Sequence, residues 1–461
     1  MQMRYLMILL KKISLFGLIK ICLITNIYAQ TGSIYGFITD KKSGEALIGA
    51  NVFIQETGQG MATDANGYYI IQDIPIGNKV TMVSYVGYEL FRKSIAVKPN
   101  NSLKLDIELL KELVQLNEVN VLAEKIERKY NTQPSKISLN PRMMKAAPAL
   151  AEPDLFRTIQ ALPGVLTTSE YSTGLVIRGG NTDQNLIMLD GITVYNPSHL
   201  GGIFSNFIVD GVKEAELIKG AYNAEYGGRL SAVLNVLSRE GNKNEFNGKA
   251  NLSLLSAQTT LEGPFYKGAW IFSGRRTYFD LILPKILPAE TAENIPPYYF
   301  YDIQGHIFTD LTPNDRISLS YYSGIDDIIF DTFGLNGRWG NNTISAHYRR
   351  IINEKLVSNF LIANSQFFTS FGLGGSGGLI SDNEINDITV SGNFSWFASS
   401  VSTVKFGIQH KTLGFEYINK FQDSTQFEIK TSPVEFATFI KLKNKFSDRL
   451  TIEPGIRLNY Y

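Results

Sequence analysis

Chemistry in a protein needs polar side chains that converge, and this chain of 461 residues has few sets that could do so. There is one cysteine, Cys22, and four histidines, His199, His306, His347 and His410, each isolated in the sequence. Zinc and iron–sulfur sites need clusters of such ligands, so neither a metal nor any other cofactor is expected. Asp64-x-Asn66-Gly67 begins like a calcium loop, but Gln72 and Asp73 follow where a bidentate Glu belongs. A tight turn is predicted instead, since Asn-Gly supplies the positive φ that a hairpin needs. Gly372-x-Gly374-x-x-Gly377 spells the dinucleotide fingerprint, yet Leu379-Ile380-Ser381-Asp382-Asn383 follows, not an amphipathic helix. It reads as an external loop. No Gly-x-Ser-x-Gly or Walker motif is present, and no enzyme is expected. Lys and Arg total 44 against 43 Asp and Glu, a net charge of +1 that argues against a nucleic-acid partner.

The elements carrying these residues are mainly strands. Residues 1–29 read as a secretory signal peptide: Arg4, Lys11 and Lys12, an apolar run from Ile13 to Ile27 broken by Lys20, and a small residue at Ala29. A buried helix is the other reading. No stretch of 18 apolar residues occurs, so no membrane-spanning helix is expected. From Gly32, short period-two segments separated by turns predict a β-sandwich over 31–110. Residues 111–140 are polar and read as a linker. Within it Glu118-Val119-Asn120-Val121-Leu122 is an extended-type strip, either the last strand of the sandwich or a handle for edge-on pairing. Pro153-Asp154 opens an amphipathic helix bearing Leu155, Ile159 and Leu162, with Pro at its first position, and Pro163-Gly164 ends it.

From Asn247 the period is two to the chain end. Ile317, Leu319 and Tyr321 alternate with Ser318 and Ser320; Ile388, Val390, Phe394 and Trp396 alternate with Thr389, Ser391, Asn393 and Ser395. The chain has 23 Tyr, 28 Phe and 3 Trp, with the surplus in this second half. Strands of about ten residues, apolar on one face and polar on the other, suit an antiparallel transmembrane β-barrel. Tight turns at 263–268, 312–315, 353–355, 399–402 and 444–448 alternate with long connections at 281–297, 324–341, 371–386 and 417–433, as a barrel's two faces require. About eleven strands are expected. Closed bacterial barrels have even numbers of strands, and an open sheet would expose backbone edges to lipid, so the barrel over 245–461 is expected to be truncated.

Two families are resembled. Gly36-x-x-x-Asp40, Ser43-Gly44-Glu45-Ala46-Leu47-x-Gly49-Ala50-Asn51-Val52, Thr63-Asp64-x-x-Gly67-Tyr68-Tyr69 and Ser84-Tyr85-Val86-Gly87-Tyr88 resemble the carboxypeptidase-regulatory-like (transthyretin-like) domain, which implies no peptidase. Leu162-Pro163-Gly164-Val165, Arg178-Gly179-Gly180, Leu189-Asp190-Gly191 and Ala224-Glu225-Tyr226-Gly227-Gly228-Arg229, in that order, resemble the plug domain of TonB-dependent outer-membrane receptors. The resemblance implies a small α/β plug over 141–241, filling the barrel, with the sandwich in the periplasm. It implies import of a nutrient, for example a siderophore, vitamin, peptide or glycan, energised by the TonB–ExbB–ExbD complex pairing with a TonB box. Glu118–Leu122 is the candidate box. Arg178, Glu225 and Arg229 are candidates for plug–barrel contacts, salt bridges within the plug being the other reading. Tyr195, Asn196 and His199, in an insertion that departs from the glycan-importing subfamily, are candidates for substrate contact. A secreted or surface adhesion protein without transport is the alternative, which the plug motifs and loop alternation disfavour.

Overall fold

A computed structural model describes residues 30–112, 135–148, 152–169, 172–288, 291, 297–330, 334–375, 377–447 and 449–461. The expected signal peptide and TonB box lie outside the described residues.

The first module is a sandwich of two four-stranded sheets. In one, Thr31–Asp40 is flanked by Tyr68–Pro75 on one side and by Ser102–Lys104 and Ile107–Leu109 on the other; the second runs Gly60–Ala62, Asn51–Ile54, Gly77–Ser84, Phe91–Val97. Ile34, Ile38, Val52, Tyr69, Ile71 and Val83 fill the space between. The Asp64–Gly67 segment is the predicted turn. Asp64 Oδ1 accepts the backbone N–H groups of Asn66 at 2.8 Å and Tyr68 at 2.9 Å, and Gly67 has φ +74°.

The plug is built on a five-stranded sheet in the order Ile192–Thr193, Leu186–Leu189, Val233–Ser238, Val212–Ile218, Lys136–Leu139. The pair Leu186–Leu189 and Val233–Ser238 is parallel; the other pairs are antiparallel. Lys136–Leu139 falls in the segment expected to be linker, so the sheet begins before residue 141. Two helices, Pro141–Ala146 and Leu155–Gln160, cover it. Asp154 is the N-cap of the second, its side chain accepting the Arg157 N–H at 3.0 Å. Pro153 therefore precedes the cap and does not occupy the first helical position. Leu155 and Ile159 are buried on the sheet with Leu162 against them, and Gly164 leaves the helix at φ +79°.

The carboxyl-terminal half is one antiparallel meander of thirteen strand segments. They occupy eleven positions. Ser424–Thr431 and Val434–Ser447 pair with the same neighbour above and below Pro433, and Leu450–Ile452 and Gly455–Tyr460 do so around Pro454. Proline has no N–H for the ladder, which interrupts each strand, but both proline carbonyls still accept, from Leu413 and Leu442 at 2.9 Å. Among the described residues the first and last strands of the sheet do not pair with each other.

The expected alternation maps onto two faces. Leu361 and Ala363 pack on Ile192 of the plug, while Phe360 and Ile362 on the same strand are exposed. Trp396, Val390 and Ile388 share that exposed face; Thr389 and Ser391 are buried on the other. From Trp396 to Ile388 the apolar face runs roughly 26 Å along the strand at about 3.3 Å per residue, which a tilt of about 40° turns into about 20 Å of height, most of the apolar band of about 25 Å on outer-membrane barrels. Among the described residues no helix is long and apolar enough to cross a membrane.

Two expectations about this sheet are corrected. The strands are much longer than ten residues: Leu335–Asn353 has 19, Leu356–Leu373 has 18 and Leu379–Ser399 has 21. Three of the four expected long loops are instead the upper parts of hairpins. Beyond the apolar belt the outward face turns polar, with cross-strand bonds Asn364–Asn386 at 2.6 Å, Gln366–Glu384 at 2.7 Å and Lys430–Glu416 at 3.1 Å. The remaining connection, after Thr277, holds a helix, Phe279–Ile286. Gly374, Gly375 and Gly377 form the tip of a hairpin, all at positive φ, so no nucleotide-binding turn leads into a helix there.

Candidate functional site

The plug meets the sheet's inner face through charged groups, and strand parity places each wall partner. Asp302 and Asp326 lie on adjacent strands, Tyr298–Thr312 and Asp315–Phe330, where inward residues alternate with exposed ones such as Ile317 and Leu319. Between the two carboxylates sits His199 of the plug. Its Nδ1 is 2.6 Å from Asp326 Oδ2 and its Nε2 2.8 Å from Asp302 Oδ1. Its ring stacks on Phe300, centroids 4.1 Å apart. Arg275 closes the cluster, binding Asp302 Oδ2 through Nε at 2.8 Å and Nη2 at 2.6 Å, Glu152 of the plug at 2.8 Å and the Ser205 carbonyl at 2.7 Å. Tyr322 donates to Asp302 at 2.9 Å, the Leu200 N–H to Asp326 at 2.9 Å, and Tyr298 donates to Asp326 as well.

Burial of His199 opposes its charge, but the flanking Asp302 and Asp326 outweigh burial and hold its pKa above the ordinary imidazole value. With a carboxylate at each ring nitrogen, the imidazole bridges two strands of wall and its charged form is favoured. Buried charges persist only when paired and hydrogen-bonded, and this cluster meets that condition.

A second seam lies at Glu225. Its carboxylate faces Lys405 at 3.4 Å and Lys441, both on the wall, and its carbonyl accepts from Arg457 Nη1 at 3.2 Å. Burial alone would raise the Glu225 pKa, but the two lysines bring it down to about 2. Gly227 is where the plug backbone passes Arg457: a Cβ there would lie 2.4 Å from Arg457 Nε. The other two residues expected at this interface bond within the plug. Arg178 Nη2 donates to Ser135 at 2.9 Å, and Arg229 Nη1 to the Gly228 carbonyl at 2.9 Å.

The motif residues are mostly turns. Arg178 and Gly179 have φ +50° and +81°, Asp190 and Gly191 +50° and +81°, and Gly228 +77°. Asp190 also accepts the Ser238 N–H at 2.8 Å and its hydroxyl at 2.6 Å, tying the hairpin to the neighbouring strand. Gly180 lies against Ser231, whose Oγ would be 2.4 Å from an added Cβ. Tyr226 packs on Leu186, Met188, Ile218 and Val233.

The residues expected to touch substrate are seated in the wall. His199 is fully buried. Tyr195 donates to Asp387 at 2.9 Å, and Lys411 holds the same carboxylate at 3.0 Å. The Asn196 carbonyl accepts from Asn341 at 2.7 Å. A short segment rich in polar and aromatic residues looks the same in sequence whether it faces a ligand or a polar wall. What separates the two is the partner carboxylates, which lie more than a hundred positions away: 103 for Asp302, 127 for Asp326 and 192 for Asp387.

The architecture is a plug bonded to the inner face of a β-wall whose outer face is apolar. Residues 34–121 match the CarboxypepD_reg-like domain and residues 131–233 the TonB-dependent Receptor Plug Domain. TonB-dependent receptor P26 of Formosa agariphila is 30% identical over 218 residues, covering 44% of this chain and 20% of that protein. TonB-dependent receptor SusC of Bacteroides thetaiotaomicron is 25% identical over 258 residues, covering 52% of this chain and 25% of SusC. The chain thus spans a quarter or less of the curated relatives it matches. Among solved structures, a ferric enterobactin receptor (PfeA) variant of Pseudomonas aeruginosa superposes with a TM-score of 0.55 at 17% identity, covering 71% of this chain and 57% of the receptor. The ferric citrate transporter FecA gives 0.54 at 13%, covering 73% and 57%. At such identities the structures establish the fold alone.

Proposed function

We propose that this protein is a TonB-dependent outer-membrane receptor that imports a nutrient into the periplasm. The observation that carries this is the seam itself: the plug is held mainly by ion pairs and hydrogen bonds, with only small apolar contacts such as Ile192 on Leu361 and Ala363. Polar bonds can be exchanged for water one at a time when the plug moves, whereas an apolar seam would have to be exposed whole. The outward apolar face fits lipid; in a secreted adhesin the same face would be a large exposed patch inviting aggregation. Energy would come through a TonB–ExbB–ExbD partner pairing with Glu118–Leu122, and the sandwich would sit in the periplasm.

Fractionation and capture test this. The full-length protein should sediment with the outer membrane and bind the periplasmic domain of TonB. Deleting Glu118–Leu122 should abolish that capture while leaving the protein in the membrane. Recovery in the medium rejects the importer; undiminished capture rejects that strip as the handle.

A further inference from the structure

The sandwich does not leave the outer face of its first sheet free. Tyr68, Tyr69, Ile70, Ile71 and Gln72 are all buried in succession. Tyr69 and Ile71 fill the sandwich core. Tyr68 and Ile70 point the other way and form a separate apolar cluster with Ile351, Val357 and Phe397 of the wall, with Tyr35, Phe37 and Met61 packed around it. An antiparallel sheet packed on one side only would alternate apolar and polar; here the second face is covered by the mouth of the β-wall.

The seat is on the tight-turn end. Tyr68 donates to the Glu354 carbonyl at 2.6 Å, Gln72 to the Phe397 carbonyl at 2.9 Å, and Ser400 to Asp73 at 2.8 Å. Glu354 and Ser400 lie in two of the short turns. Across the mouth, where the chain leaves the plug, the Glu240 N–H donates to Glu45 at 2.9 Å and the Lys243 N–H to the Ser43 carbonyl at 2.8 Å. The sandwich therefore bridges the mouth from the plug's exit strand to the turns of the wall.

One contact opposes the seat. Arg349, an inward wall residue, lies over the Phe37 ring at 4.7 Å; its Nη2 is 4.0 Å from Asp310 Oδ1, and among the described residues its buried Nε and Nη1 have no hydrogen-bond partner. Unpaired buried donors cost free energy that water would restore on separation, while the ring face compensates only in part. The apolar cluster draws the sandwich in, and the guanidinium opposes it.

We propose that the sandwich is a detachable cap on the tight-turn mouth, a second closure behind the plug that must lift before anything passes. The proposal rests on the importer reading, since a cap matters only if there is a path to close. It assigns Tyr68, Ile70 and Phe37 as the seat and Arg349 as the group that favours release.

The test uses the full-length receptor with Ser102→Cys and Glu354→Cys, exposed side chains 3.4 Å apart at the seam. A short cleavable bismaleimide should join them in intact outer membranes, and adding Ile70→Asp should lower the yield at least tenfold. In planar bilayers with potassium chloride as the probe, mild urea should unseat the plug and open the uncross-linked receptor. The cross-linked receptor should conduct at least tenfold less until the linker is cleaved. No cross-link, a yield indifferent to Ile70→Asp, or equal conductance with the linker intact overturns the cap. A receptor that never enters the bilayer fails differently, by removing the importer reading beneath it.

Discussion

His199 of the plug and Asp302 of the wall meet through Nε2 and Oδ1 at 2.8 Å with both side chains fully buried. Asp302 also has Arg275, but Asp326 is held otherwise only by the Leu200 N–H and the Tyr298 hydroxyl, so removing His199 leaves the Asp326 carboxylate without a cation, which typically costs about 3–5 kcal/mol. His199→Ala should loosen the plug by that order, read as a lower urea midpoint for plug unseating and faster chymotryptic cleavage within 195–205, which holds Tyr195, Leu200 and Phe204. His199→Phe keeps a ring to stack on Phe300 but no charge, and should loosen it similarly. An unchanged midpoint for His199→Phe would show that packing and not charge holds the seam. The pH dependence follows from the same pairing. Because the folded pKa is raised, the contribution is complete below about 6.5 and is lost as pH rises through the higher folded value. The seam should weaken on the alkaline side, and the His199→Phe variant should not show that drift.

Glu225 predicts the opposite pH sense. Its folded pKa, about 2, lies below the ordinary 4.5, because Lys405 and Lys441 outweigh burial. Its contribution is complete above the ordinary value and is lost as pH falls from there through about 2. Seating of the plug, followed by near-ultraviolet circular dichroism across that range, should fall with acid in the parent. In Glu225→Gln the seating should start weaker and show a shallower acid slope. Equal slopes would assign the stabilising charge elsewhere.

The two seams were unequally legible. Glu225 stands in an ordered motif, and turn residues such as Asp190-Gly191 announce themselves, because few residue types accept positive φ. His199 was visible only as a polar residue in an insertion. Period two tells that Asp302 and Asp326 face inward, but not which plug residue they meet, since that depends on register between strands far apart in sequence. The hairpin tops were misread as loops for a related reason: once the outward face becomes polar, both faces are polar and the alternation loses its contrast. The buried second face of the sandwich did leave a mark. Tyr68-Tyr69-Ile70-Ile71 is an unbroken apolar run, the pattern of a strand covered on both sides.

Gly227 should be intolerant for a local reason. A Cβ would meet Arg457 Nε at 2.4 Å and its Cδ at 3.1 Å. The guanidinium would have to leave Gln409, which it binds at 3.0 Å, and the Glu225 carbonyl. Gly227→Ala should therefore cost about 1–2 kcal/mol of plug seating, in the range for losing a hydrogen-bonded charge. Arg457→Ala should cost a similar amount, and the double variant little more than either, because both act on the same contacts. Additive losses would place the strain at Gly227 elsewhere.

Trp396 and Trp339 occupy opposite faces of one sheet, and that contrast tests the membrane assignment directly. Trp396 is 47% exposed on the apolar belt. Trp339 shares the inner face with Asp326, its register partner, and stacks between Tyr298 and Phe371. In variants of the full-length receptor retaining only one of these tryptophans, lipids brominated in the acyl chain should quench Trp396 strongly and Trp339 hardly at all. A soluble sandwich with its greasy face against another sheet would leave both unquenched. Comparable quenching of the two would mean that lipid reaches the inner face, which a polar seam of this kind would not survive, since its ion pairs need the surrounding hydrogen bonds to offset the loss of water.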